Sequence, residues 1–312
     1  MNKIIQKKSI FLKTFLKKFL KKKLKKFIYT LNNMSNCYNF KELNFKYGLY
    51  DNSIDVSYIL TLTNSPKIKN ILKQLTIAKP TKKIFIVVND GFKKCAKDLP
   101  IQNKKYDTMH SYIEIFKHAK KNNYQNILIL EDNFIFDKEI TYLKHTTKIN
   151  DFCSKNKKDA FILSLGSLPI VIFPYDEYFN KSIISTGTYS MIYSRPFIDK
   201  TLNQKDNLKK IHDWDYYTNK TFKRYIYYIP LCTQIFNDTN TDTDIKNQMP
   251  SFFGLKYIYL YFIKRNKLNK QSQPGFNNFY FYSKIISIFI FILLIYIIYL
   301  FYKIGKYIWN VM

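Results

Sequence analysis

Glu131, Asp132 and Asn133 stand together at the end of an apolar run, Ile127-Leu-Ile-Leu. Two carboxylates followed by an amide make an all-oxygen donor set of the kind that holds Mg²⁺ or Mn²⁺. An ion there would offset the repulsion between the acids and the phosphates of a nucleotide. A second concentration of chemistry is His212-Asp213-Trp214-Asp215, with an imidazole, two carboxylates and an indole in four positions. It reads either as a source of a general base or ligand, or as a capped helix start with a packed Trp. His110 and His118 fall eight apart on one expected helix, too far for a paired metal site, and read as surface or packing residues. Cys37, Cys95, Cys153 and Cys232 are widely spaced with no CxxC pair, so buried free thiols are expected.

Elements must position these groups. Four to six aliphatic residues ended by acids suit a buried strand of a parallel sheet, and ligands of open α/β sheets gather outside the carboxyl ends of such strands. Strand and helix patterns alternate along the body: strands at 56–62, 83–88 and 126–130, helices at 66–78 and 110–122, and further strands at 160–165, 190–193 and 225–229. Alternation of this kind predicts right-handed βαβ crossovers and a mostly parallel sheet flanked by helices. Gly-x-Gly-x-x-Gly, Walker and Gly-x-Ser-x-Gly patterns are absent, which removes the commonest dinucleotide, NTPase and hydrolase readings.

The 312 residues carry a net charge of +29, and its distribution matters more than its size. Residues 1–28 hold eleven Lys and no acid, and nine Lys or Arg and no acid follow Asp244. Most of the excess therefore sits at the two ends, which are also the apolar ones, so an anionic membrane surface is the expected partner and nucleic acid is not. Within residues 1–30, Phe11, Leu12, Phe15, Leu16, Phe19, Leu20, Leu24 and Phe27 recur at helical spacing between lysines, as in a basic amphipathic helix lying in a headgroup layer. Residues 285–302 carry no charge and predict a transmembrane helix with aromatic residues at both interfaces. Residues 251–284 read as a juxtamembrane linker. Six Lys or Arg precede the span against Lys303 and Lys306 after it, so the body is expected to face the cytoplasm as a single-pass protein with a C-terminal anchor.

Five segments in order resemble glycosyltransferase family 25, whose members include lipopolysaccharide-type and collagen galactosyl- or glucosyltransferases and large-virus relatives. They are Tyr58-Ile-Leu-Thr-Leu-Thr-Asn-Ser-Pro with Ile84-Phe-Ile-Val-Val-Asn-Asp-Gly, then Ser111-Tyr-Ile-Glu-Ile-Phe-Lys-His-Ala, Tyr124-Gln-Asn-Ile-Leu-Ile-Leu-Glu-Asp-Asn, Ser185-Thr-Gly-Thr-Tyr-Ser-Met-Ile-Tyr-Ser and Pro230-Leu-Cys-Thr-Gln-Ile-Phe-Asn-Asp-Thr-Asn. The match spans roughly residues 55–242 of a domain expected at 50–250. The resemblance implies a GT-A fold, a nucleotide-sugar donor such as UDP-galactose or UDP-glucose, and Mn²⁺ or Mg²⁺ bridging the diphosphate. Carried over by position, Glu131, Asp132 and Asn133 take the family's Glu-Asp-Asp metal site, and Asn89, Asp90, Glu131 and Asp132 line the nucleotide. Asn133 departs from the pattern: an amide oxygen can ligate a metal but brings no charge, so metal affinity should fall. His212, Asp213 and Asp215 are the candidates for handling the proton of a glycan, protein or lipid hydroxyl acceptor. Two readings compete with a hexosyltransferase: a degenerate relative that binds a glycan or partner at the membrane, and a membrane scaffold whose ends carry the function.

Overall fold

The computed structural model describes residues 37–204, 211, 214–221, 223–236 and 261–311. The expected amphipathic helix in residues 1–30 lies outside them. At the centre is a nine-stranded sheet in the order β1-β3-β2-β4-β9-β6-β10-β8-β7. Its strands are β1 (Tyr38–Asn44), β2 (Val56–Leu62), β3 (Lys83–Asn89), β4 (Asn126–Glu131), β6 (Phe161–Ser164), β7 (Leu168–Pro174), β8 (Phe179–Thr186), β9 (Ser190–Ser194) and β10 (Lys223–Tyr227). A small second sheet pairs β5 (Phe134–Phe136) with β11 (Cys232–Gln234). With them are helices α1 (Ile68–Ile77), α2 (Lys104–Lys121), α3 (Leu143–Lys155), α4 (Arg195–Asn203), α5 (Trp214–Thr221) and α6 (Gly275–Val311), a 3-10 turn at Lys138–Thr141 and helical residues 261–265.

The central strands follow from their residues. Along β4, Ile127 and Ile129 face one side while Leu128 and Leu130 face the other, and all four are fully buried. Strands with no polar face need cover on both sides. One core carries Ile71 and Leu75 of α1 with Ile149 and Phe152 of α3; the other carries Tyr112 and Phe116 of α2 with Phe197 of α4 and Trp214 of α5. Helix α2 begins at Lys104, ahead of the expected start, because Asn103 caps it by accepting the Tyr106 N–H at 3.0 Å.

The sheet is mixed, which corrects the expectation of a mostly parallel one. Pairs β2/β3, β2/β4 and β6/β10 are parallel and the other five are antiparallel. The crossover rule holds where a helix links neighbours in the sheet, as in β2-α1-β3. It does not reach β1, which adds to the β3 edge, or the β7-β8 hairpin, whose turn is closed by Asp176 Oδ1 accepting the N–H groups of Tyr178 and Phe179. Strand β1 lies ahead of residue 50, where the domain was expected to begin.

Cysteine usage also departs from expectation. Cys37, just before β1, and Cys95, after β3, form a disulfide with Cα atoms 5.7 Å apart, while Cys153 and Cys232 are buried free thiols. The antiparallel β1/β3 pairing sets Tyr38 opposite Asn89 and so brings together two cysteines 58 positions apart.

Helix α6 is one continuous rod of 37 residues, about 55 Å at ~1.5 Å per residue. Phe276, Phe279, Tyr280, Ser283 and Ser287 form a buried stripe at helical spacing against the body, and the side chains described beyond Ile290 are exposed. Phe276 and Phe279 pack with Leu168 and Tyr189, Tyr280 packs with Ile172 and Ile226, and Ser287 Oγ accepts the Ile172 N–H at 2.9 Å. Small serines let the helix approach β7 closely. Much of the expected linker is therefore docked, with Ile263 and Leu268 also buried. Within residues 275–304 the most apolar eighteen-residue stretch has a mean hydropathy of 2.8, and the helix is long and apolar enough to cross a membrane.

Candidate functional site

The chain passes from β2 to β3 on one side of β2 and then crosses to β4 on the other, so β2 and β4 part at a topological switch point. Crevices outside the carboxyl ends of strands at such points are where open α/β sheets bind ligands. Two segments meet there: Thr61 to Lys67 from the end of β2, and Glu131 to Asn133 from the end of β4.

Asp132 is the hub. Its Oδ1 pairs with Lys67 Nζ at 2.8 Å, and its Oδ2 accepts from the hydroxyls of Thr61 and Ser65, each at 3.0 Å. Lys67 occupies the N-cap position of α1, which fixes the backbone from which its side chain extends. Glu131 Oε1 accepts from Tyr112 Oη at 3.1 Å and Thr188 Oγ1 at 3.0 Å. Burial raises its pKa above the ordinary carboxylate value; the two hydroxyls oppose that shift, and the charges of Asp132 and Asp215 add to it. Asn133 donates from Nδ2 to Gln234 Oε1 at 2.7 Å, while its Oδ1 is buried without a hydrogen-bond partner. The β5/β11 pair sets this contact, and α1 secures β5: Asn70 Nδ2 donates to the Phe134 carbonyl and Gln74 Oε1 accepts the Phe136 N–H.

The turn at Gly187 and Thr188 joins this cluster to a second acid. The Gly187 N–H donates to Asp215 Oδ2 at 3.1 Å, its carbonyl accepts from Arg224 at 3.1 Å, and Arg224 pairs with Asp215 Oδ1 at 3.0 Å. Gly187 sits at φ +93°, and a Cβ there would meet the Tyr189 ring at 2.7 Å, so only glycine lets Thr188 reach Glu131. Arg224 is fully buried, and a guanidinium is tolerated there because Asp215 neutralises it.

The structure brings together Glu131, Asp132, Asn133 and Asp215, with Asp90 on the same edge accepting from the Thr63 hydroxyl. Asn89 turns inward instead: it is buried and bonded to Asp107, Ser111, Lys97 and the Gly91 N–H. His212 and Asp213 lie outside the described residues. Trp214 is packed, tilted on Tyr112 with ring centroids 5.7 Å apart. His110 and His118 are packing residues, hydrogen-bonded to Tyr38 and Tyr58 at 2.8 Å. Lys67, Thr188, Tyr112, Arg224 and Gln234 were not singled out by sequence. Their one signal is that Tyr112, Thr188 and Gln234 fall inside the segments compared above. Two surface concavities of about 320 and 290 Å³ lie elsewhere, around Asp51, Lys82 and Gln125 and around Lys148, Tyr175 and Tyr178.

The residues present do not fit the divalent ion expected at Glu131, Asp132 and Asn133. No group of three His, Cys, Asp or Glu among the described residues can hold a metal. Asp132 is neutralised by Lys67, Asn133 is uncharged, and Glu131 is pushed toward its neutral form. A divalent ion beside Asp132 would share an already neutralised carboxylate and would repel the Lys67 ammonium by several kcal/mol at about 4 Å.

No family model matches the chain and no curated protein matches it. Among solved structures it is similar to the crystal structure of A197 from STIV, at 9% identity and a TM-score of 0.34, over 58% of this chain and 85% of that one.

Proposed function

We propose that this chain is a membrane-anchored glycosyltransferase with a GT-A-like body, resembling glycosyltransferase family 25, which moves a hexose from a nucleotide-diphosphate sugar to a hydroxyl acceptor. One observation carries the reading. The five sequence segments that resemble the family are far apart in the chain, yet each contributes to one cluster: Thr61, Ser65 and Asp90 from the first, Tyr112 from the second, Glu131 to Asn133 from the third, Thr188 from the fourth and Gln234 from the fifth. A resemblance arising from composition alone would scatter these residues over the fold.

In this reading the diphosphate lies against the β2 and β4 ends, where positive groups offset the charge that develops as it leaves. Glu131 is the better fit for accepting the acceptor's proton, because burial lifts its proton affinity toward the working range, whereas Asp215 is held by Arg224. The span in α6 anchors the body.

The test is a donor screen on the detergent-solubilised chain, read by release of nucleoside diphosphate from UDP-glucose and UDP-galactose. Turnover that disappears in Glu131→Gln with the melting temperature retained is the expected result. Tight donor binding without any turnover would favour the competing reading of a binding module, toward which the uncharged Asn133 and the neutralised Asp132 point.

A further inference from the structure

We infer that Lys67 supplies the positive charge at the diphosphate site in place of a divalent metal ion, an inference that rests on the transferase reading above. Lys67 comes from the end of β2 and Asp132 from the end of β4, 65 positions apart, and they meet at 2.8 Å. The Lys67 side chain is about one-third exposed and that of Asp132 about one-seventh, so the ammonium is the more accessible partner of the pair. Asp132 accepts three bonds, from Lys67, Thr61 and Ser65, which fixes the carboxylate and through it the ammonium. The third position of the acidic triplet carries no charge, and its amide N–H₂ is spent on Gln234. Two carboxylates of the cluster are thus balanced by cations of the chain itself, Asp132 by Lys67 and Asp215 by Arg224. A diphosphate at the β2 and β4 ends meets an oriented ammonium with one N–H held by Asp132 and two left for phosphate oxygens. Asp132 in this scheme is a positioning residue.

Binding of UDP-glucose and UDP-galactose to the full chain in detergent, measured by calorimetry in EDTA and then in Mn²⁺, tests this. Wild-type protein is expected to bind with less than a threefold difference between the two conditions. Lys67→Met should weaken binding at least tenfold while keeping the melting temperature, and Lys67→Arg should recover most of it. The double variant Lys67→Met with Asn133→Asp should bind only when Mn²⁺ is present. Binding lost in EDTA by the wild type, or Lys67→Met binding as the wild type does, would overturn the inference and leave the transferase reading standing. A folded wild-type chain that binds neither nucleotide sugar in either condition would remove both.

Discussion

Asp132 contributes almost nothing to the apolar cores, yet three side chains converge on it. Replacing it with Ala removes the partner that holds the Lys67 ammonium, and loss of orientation of a charged group by about an ångström costs roughly a hundredfold in rate. Asp132→Ala is therefore expected to lose about that much turnover with its circular dichroism and melting temperature near those of the wild type. An unfolded variant would make Asp132 structural, and a fully active one would remove it from the site. Acid triplets are easy to see in a sequence; the lysine that neutralises one is not, since Lys67 is one of 51 Lys and Arg residues.

Helix α6 does two jobs along one rod, body packing up to Ser287 and exposed apolar surface beyond it. Phe276 stacks edge-on against Tyr189 at 6.0 Å, and the Tyr189 carbonyl accepts the Glu131 N–H, so the start of the anchor is one residue removed from the candidate site. A chain cut at Lys264 leaves Leu168, Tyr189, Ile172 and Ile226 without cover, and burying several such side chains contributes ~1.5–3 kcal/mol each. We expect that truncation to aggregate or to melt at least 10 °C below a chain cut after Ser287, by scanning fluorimetry. Equal melting temperatures would mean that the docked half of α6 adds nothing to the fold. The three described histidines each join a helix to a strand through a tyrosine hydroxyl: His110 to Tyr38, His118 to Tyr58 and His145 to Tyr227, all at 2.8 Å. Burial lowers the pKa of all three below the ordinary 6.5. The unfolded chain takes up protons near that value and the folded chain resists, so stability is full above it and falls as pH drops toward the folded values. The raised pKa of Glu131 acts in the opposite sense. The melting temperature should therefore fall between about pH 7 and pH 5; a flat profile would refute this.

At the scale of the whole molecule, two features point to opposite sides of a membrane. The lysine and arginine excess before the span favours a cytoplasmic body, whereas the Cys37–Cys95 bond is of a kind that persists in oxidising compartments. The bond is the stronger constraint, because a charge bias of six against two sets orientation only in competition with other signals, while a reducing compartment removes the disulfide outright. We expect the body on the oxidising side, protected from added protease in sealed microsomes, with Cys37 and Cys95 labelled by maleimide only after reduction. Digestion of the body together with free thiols at both positions would reverse this assignment. The Asn-x-Ser/Thr sequons that begin at Asn180 and Asn219 are poor reporters of side, since Asn180 is buried and the Asn219 amide donates to the carbonyls of Ser185 and Asp215.

Sequence alone determined the strands β2, β3 and β4, the acids that end β4, and a C-terminal segment able to cross a bilayer. Those features are local: a continuous apolar run, the charges that end it, and eighteen uncharged residues each follow from neighbours within one element. Only the tertiary structure decided which strand ends meet and what they then neutralise. The Lys67–Asp132 pair, the Tyr112 and Thr188 bonds to Glu131, the Asp215–Arg224 pair behind Gly187 and the Cys37–Cys95 bond all join segments brought together by sheet order. Strands β1, β7 and β8 likewise escape local pattern, because β1 is held by pairing with β3, while α6 packs on β7 and α5 on β8. A carboxylate becomes a metal ligand or the partner of a lysine according to the charges that folding places around it, and that choice is made in three dimensions.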